Sequence, residues 1–116
     1  MGNKSVRCLL DSGATFSVLH KQVFDSIKPK LELVKSNLQL QSATGNSLNV
    51  LGKACINFKI NDLNLSQSFI IVDNLSQKCI LGRDFLKAND CSLYFDLNAV
   101  RIKGEFISLQ DDKFVA

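Results

Sequence analysis

The residues best suited to chemistry lie near the start of the chain, in Cys8-Leu9-Leu10-Asp11-Ser12-Gly13-Ala14-Thr15. An apolar run delivers a carboxylate, and a hydroxyl and a glycine follow at once. A strand that ends in Asp-Ser-Gly can turn sharply, because glycine adopts backbone angles closed to other residues. The turn would set Asp11 at a loop tip with apolar residues behind it. There the Ser12 hydroxyl and nearby backbone N–H groups can orient the carboxylate. Asp, Ser and Gly are also common at any strand-to-turn junction, so this segment alone leaves an ordinary turn open.

Other chemistries find little material. Cys8, Cys55, Cys79 and Cys91 form no C-x-x-C pair, which disfavours a zinc ribbon or a redox motif. Each sits in or beside an apolar run and reads as a small buried hydrophobe in a reducing compartment. We expect no metal site and no cofactor. His20 is the sole histidine, and no nucleophile in a recognisable context accompanies it. A phosphate loop fails too: Gly45 and Gly52-Lys53 are wrongly spaced, and Ala54 stands where Ser or Thr is needed.

Composition narrows the class further. The chain has 116 residues, 46% hydrophobic and 22% charged, with one proline. That suits one globular domain and excludes a disordered or collagen-like chain. The net charge is +3, but the basic residues are scattered and no aromatic residues interleave with them. No nucleic-acid partner is therefore expected. No apolar run approaches a membrane span, and the stretch before Asp11 is too short for a signal-peptide core. The expectation is a cytoplasmic protein with no signal peptide and no membrane partner.

The elements that must position Asp11 are mostly short strands. Ile56, Phe58 and Ile60 alternate with Asn57 and Lys59, a period of two. Asn61-Asp62 would turn that strand into Leu63-Asn64-Leu65. Leu38 to Gln41 and Leu48 to Val50 alternate likewise. The continuous run Phe69 to Val72 predicts a strand buried on both faces. Leu93 to Phe95 and Val100 to Ile102 flank a turn and predict a hairpin. Helical signals are few: one or two turns over Lys21 to Ile27, stopped by Pro29, and a helix over Gly82 to Ala88 with Phe85 and Leu86 buried and Asn89-Asp90 at its end. The sum is a small all-β fold, barrel-like or a sandwich. Residues beyond Gly104 read as a possible tail.

A second segment gives the first its meaning. Cys79-Ile80-Leu81-Gly82-Arg83-Asp84-Phe85-Leu86 is an aliphatic pair, a glycine and a short amphipathic helix. Together with Leu9-Leu10-Asp11-Ser12-Gly13-Ala14, it resembles the retropepsin-like aspartic proteases, the single-lobe family of retroviruses and retrotransposons. Thr15, Ser17 and Leu19 continue a pattern seen most often in the retrotransposon versions. Gln41 to Leu48 looks like a hairpin with its tip at Thr44-Gly45-Asn46, where that family has its flap over substrate.

The resemblance implies a small closed barrel-like fold with a flap hairpin and one short C-terminal helix. Residues 1–104 would be the protease domain, and 105–116 a tail or terminal strand. Asp11 would be catalytic, on a loop with Ser12, Gly13 and Ala14. Ala43, Thr44, Gly45 and Asn46 would be the flap. Ile80, Leu81, Gly82 and Arg83 would lie structurally behind the site.

Such enzymes use two carboxylates about 3 Å apart, which share one proton because both cannot ionise. One activates a water while the other polarises the scissile carbonyl. No other Asp here precedes Ser-Gly or Thr-Gly. The implied enzyme is therefore a homodimeric endopeptidase that binds an extended peptide or polyprotein, with one Asp-Ser-Gly per subunit. A catalytically weak dimerisation or peptide-binding module is the alternative. The sequence departs from the family in two places near the site. Thr15 replaces an Asp that several retroviral members carry, which leaves Arg83 without its usual carboxylate. Fewer residues also precede Asp11, so Asn3 to Leu10 match only the second half of the first hairpin.

Overall fold

The computed structural model describes residues 6–27, 30–42 and 44–109. The elements in order are β1 (Leu9–Leu10), β2 (Val18–His20), α1 (Lys21–Ser26), β3 (Leu40–Gln41), β4 (Ser47–Leu48), β5 (Val50–Ile60), β6 (Leu63–Val72), β7 (Cys79–Leu81), α2 (Arg83–Ala88), β8 (Ser92–Tyr94), β9 (Ala99–Ile102) and β10 (Glu105–Ser108).

The β5–β6 hairpin is the backbone of the molecule. Ala54, Ile56, Phe58 and Ile60 point inward, while Lys53, Cys55, Asn57 and Lys59 face out. This is the period-two pattern of the sequence, and each large apolar side chain so buried is worth roughly 1.5–3 kcal/mol. Asn61 turns the chain at φ +52°, a left-handed conformation that Asn tolerates better than most residues. β6 lies between β5 and β2, pairing antiparallel with one and parallel with the other. That central place explains why Phe69, Ile70, Ile71 and Val72 are all buried.

Two apolar clusters use the two faces of this sheet. The larger contains Leu19, Ile56, Phe58, Phe69, Ile71, Phe85, Val100 and Ile102. Its rings meet at tilted angles, with Phe58 5.9 Å from Phe69 and 6.1 Å from Phe85. The smaller holds Val18, Ile70 and Val72, with Phe16, Leu40, Leu48, Val50, Leu75 and Ile80 packed against it.

The all-β class holds, but the strands do not close a barrel. They form a five-stranded sheet in the order β1-β7-β2-β6-β5, a three-stranded sheet β10-β9-β8 and a two-stranded sheet β3-β4. Closure would need a further strand along the outer edge of β5. Among the described residues that edge gains only the Val34–Lys53 bridge. Gly52 permits it, since a Cβ there would lie 2.5 Å from the Val34 carbonyl oxygen.

Both helices read from the sequence form, and α2 is the short C-terminal one. α1 is capped by His20, whose Nδ1 accepts from the Gln22 N–H at 3.0 Å, and it buries Val23 and Phe24. It stops at Ser26; Pro29 lies outside the described residues. α2 buries Phe85, whereas Leu86 is only half-buried. Asn89 ends it by donating its side-chain N–H to the Phe85 carbonyl at 2.9 Å. The predicted β8–β9 hairpin forms, with Asn98 at φ +47° in its turn. Glu105 to Ser108 are strand, paired with β9 across the Lys103-Gly104 turn. No helix among the described residues is long and apolar enough to cross a membrane.

Candidate active site

β7 threads between the two strands that flank the Asp11 loop. It pairs parallel with β1, Leu9 opposite Ile80 and Leu10 opposite Leu81, and antiparallel with β2, Val18 opposite Ile80. The loop from Asp11 to Ser17 must therefore arch over the end of β7. The Asp11 N–H donates to the Leu81 carbonyl at 3.0 Å, which continues the β1–β7 pairing to the base of the carboxylate. The Ala14 N–H then donates to the Asp11 carbonyl at 3.1 Å and closes the turn. The Gly13 N–H donates to Asp11 Oδ1 at 2.9 Å and orients the side chain. A Cβ on Gly13 would stand 3.1 Å from that same oxygen, so a larger residue would crowd the carboxylate. Asp11 and Ala14 are half-buried, while Ser12 and Gly13 are exposed.

The segment after β7 holds this loop from below. The Gly82 N–H donates to Ser17 Oγ at 3.0 Å, Arg83 N–H to the Ala14 carbonyl at 2.7 Å, and Asp84 N–H to the Thr15 carbonyl at 3.3 Å. A Cβ on Gly82 would lie 2.7 Å from the carbonyl oxygens of both Ala14 and Phe16. The glycine of the Ile-Leu-Gly-Arg segment is thus required by close backbone approach. Arg83 donates from Nη2 to Thr15 Oγ1 at 2.9 Å.

Beneath the loop lies a polar network that the motifs do not reveal. Both oxygens of Asp84 accept from two donors each. Oδ1 takes Ser17 Oγ at 2.7 Å and the Phe85 N–H at 2.7 Å. Oδ2 takes the Ser17 N–H at 3.1 Å and Gln67 Nε2 at 3.1 Å. Ser17 is fully buried, and its neighbours satisfy it. One sequence signal does point here. Gln67 is a polar residue on the inward face of β6, between Leu65 and Phe69, where alternation demands an apolar one.

β3 and β4 form the hairpin expected to be the flap, with Leu40 opposite Leu48 and Gln41 opposite Ser47. The Ser42 N–H donates to the Asn46 carbonyl at 2.7 Å and the Gly45 N–H to the Ser42 carbonyl at 2.9 Å. Gly45 sits at φ +88°. Thr44, Gly45 and Asn46 are exposed at the tip; Ala43 lies outside the described residues. Leu40 and Leu48 pack on the smaller apolar cluster, which also receives Phe16 of the Asp11 loop and Ile80 of β7. The hairpin root, the loop and β7 thus share one apolar surface. Ile80 is half-buried; Leu81 and Gly82 are buried, and Arg83 is exposed.

The cysteines only partly match expectation. All four are free; Cys8 and Cys79 are buried, Cys91 is half-buried, and Cys55 is exposed on the outer face of β5. Hydrogen bonding with Cys8, then burial, pushes the Cys79 thiol well above its ordinary range. Burial, and Asp90 beside it, pushes Cys91 up to about 11. Among the described residues no group of three or more His, Cys, Asp or Glu side chains could hold a metal ion.

The family described as "gag-polyprotein putative aspartyl protease" matches residues 1–88, a span that includes the Asp11 loop, the hairpin and β7. Solved structures carry the comparison further along the chain. The retroviral protease-like domain of Ddi1 from Leishmania major superposes with a TM-score of 0.74 at 18% identity, covering 92% of this chain and 82% of that one. The EIAV protease in complex with the inhibitor HBY-793 superposes with a TM-score of 0.63 at 21% identity, covering 78% of this chain and 82% of that one. At such identities the likeness is one of fold, and the matching family model supplies the kinship. The chain belongs to the gag-polyprotein aspartyl protease family and has the retropepsin-like fold.

Proposed function

We propose that this chain is an aspartic endopeptidase that works as a homodimer. The observation that carries the reading is Asp11 itself. Its carboxylate stands at an accessible loop tip, one oxygen is fixed by the Gly13 N–H at 2.9 Å, and the loop is clamped to the residues after β7. Such a turn is ordinary by itself; the family match over residues 1–88, which includes it, supports the catalytic reading.

One chain offers one such carboxylate, and the chemistry needs two. In the dimer the two Asp11 side chains would meet at the two-fold axis and share a proton. The ionised one takes a proton from water as that water attacks the scissile carbonyl. The protonated one donates a hydrogen bond to the carbonyl oxygen. Ser12, exposed beside Asp11, would bond across the axis, and the Gly13 carbonyl would receive the substrate backbone. Ala43 to Asn46 would cover an extended polyprotein or protein segment bound as an added strand. No cofactor enters this scheme.

The test is cleavage of a diverse peptide library at mildly acidic and neutral pH, with new termini read by mass spectrometry, by the wild type and by Asp11→Asn. Cleavage that disappears in the variant, and whose specific activity falls on dilution, supports the dimeric enzyme. Cleavage that persists in the variant removes Asp11 from the mechanism. A second reading is a retropepsin-like module for dimerisation and peptide binding with little turnover. One solved structure of similar fold is described as a retroviral protease-like domain, which keeps this reading beside the first. A folded dimer that binds peptides without cutting them would select it.

A further inference from the structure

The β5–β6 ladder ends at the Val50–Val72 pair. The next residue outward, Asn49, is the single residue between β5 and the hairpin strand β4. Backbone pairing weakens there, since the Asp73 N–H reaches the Asn49 carbonyl only at 3.4 Å. A side chain takes over. Asn74 Oδ1 accepts from the Asn49 N–H at 2.7 Å, and Asn74 Nδ2 donates to the Ser47 carbonyl at 3.0 Å. One carboxamide presents an acceptor and a donor as a peptide group does, and it grips β4 on both sides of Leu48. Asn49 adds its own bond, from Nδ2 to Asp73 Oδ2 at 2.8 Å. Among the described residues β4 has no other strand partner than β3. Asn74 also lines a cavity of about 310 Å³ together with Ser42, Thr44 and Asn46 of the hairpin.

We propose that Asn74 is a positioning residue whose carboxamide latches the root of the flap hairpin and so sets where the flap stands over bound peptide. The proposal rests on reading residues 40–48 as the flap. The amide orientation is fixed by its partners. A flipped Asn74 would set its NH2 against the Asn49 N–H and its oxygen against the Ser47 carbonyl. Only an amide, or a neutral carboxyl group, can satisfy both contacts at once. A carboxylate would still accept from Asn49 but would repel the Ser47 carbonyl and the neighbouring Asp73. Lys21 is the cation that senses Asp73 from α1.

The experiment compares wild type, Asn74→Ala and Asn74→Asp. It measures amide hydrogen-exchange protection across residues 46–49 by NMR, with the β5–β6 amides as internal reference. In parallel it measures affinity for pepstatin A, a statine peptide whose hydroxyl mimics the tetrahedral intermediate. Losing the latch should cost the hairpin amides and pepstatin affinity about tenfold each, the order of one ordinary hydrogen bond. The β5–β6 amides should not change. Asn74→Asp should behave like Asn74→Ala at pH 7 and regain protection below about pH 4, where its carboxyl is protonated and can again donate. Asn74→Ala should show no such recovery. Unchanged hairpin protection in both variants overturns the latch and leaves the flap reading intact. Lost protection with unchanged pepstatin affinity overturns the positioning role, because the hairpin then does not cover ligand. A wild type that neither binds pepstatin nor cleaves the peptide library overturns the aspartic-protease reading and the positioning role with it.

Discussion

Asp84→Asn should cost about 3 kcal/mol of stability, although it changes a single atom. Four donors converge on the Asp84 carboxylate, two on each oxygen. An Asn keeps one acceptor and replaces the other with an NH2 group. At the Oδ2 site the NH2 faces two N–H donors, but at the Oδ1 site it faces only the Phe85 N–H, because the Ser17 hydroxyl can rotate to accept from it. In that better orientation one bond to a charged acceptor is lost, about 1.5–3 kcal/mol, and the remaining ones fall to neutral strength, about 1 kcal/mol weaker together. The chain should survive, because a domain of this size has roughly 5–15 kcal/mol in hand. Urea titration should show a midpoint lower by about 1.5 M at an unchanged slope of about 2 kcal/mol/M. Ser17→Ala and the double variant complete a cycle, in which the two changes should be strongly non-additive. An Asp84→Asn protein within about 0.5 kcal/mol of wild type, the range of an ordinary surface change, would show that the four converging donors do not depend on the carboxylate.

Gly82→Ala should destabilise by about 1–3 kcal/mol, since its Cβ meets two backbone carbonyls that cannot rotate away; thermal melting would show it, and any cleavage activity should fall with it as the Asp11 loop shifts. Thiol labelling of the native protein at pH 7 should modify Cys55 first and Cys91 slowly, with Cys8 and Cys79 reacting only on unfolding; mass-resolved alkylation gives the order directly. Cys79 and Cys91 hold their protons more tightly folded than unfolded, so their stabilising effect is complete below about pH 9 and is lost as pH rises toward 11. Cys91→Ser should flatten part of that alkaline decline, as read by denaturant titration across the same range.

Local chemistry made much of this molecule legible in its sequence. Alternation gave Ile56, Phe58 and Ile60 their faces, and Asn61-Asp62 marked the turn between β5 and β6. The Asp-Ser-Gly turn and the Ile-Leu-Gly-Arg segment were readable because both depend on glycine at fixed places. Distant pairing was less legible. Nothing in Ser17 shows that its partner is Asp84, 67 residues on. The latch from Asn74 to Asn49 is hidden for the same reason, since an exposed Asn in a turn has many ordinary uses. Openness of the sheet depends on which edges find partners, and strand periodicity does not encode that. For Glu105 to Ser108 the sequence leaves a tail or a terminal strand open, because the pairing that makes them strand comes from β9.

The threading of β7 between β1 and β2 also orders events in time. The ribosome makes the Asp11 loop first and the residues that complete it much later. Until Leu81 emerges, the Asp11 N–H has no strand to join; until Gly82 to Asp84 follow, Ala14, Thr15 and Ser17 lack their contacts. Contacts between segments so far apart form late, because the intervening chain must first be ordered. A nascent chain therefore carries the Asp11 carboxylate on an unset loop while most of the domain is being made. Whatever chemistry Asp11 performs, the topology reserves it for a chain that has been translated through α2.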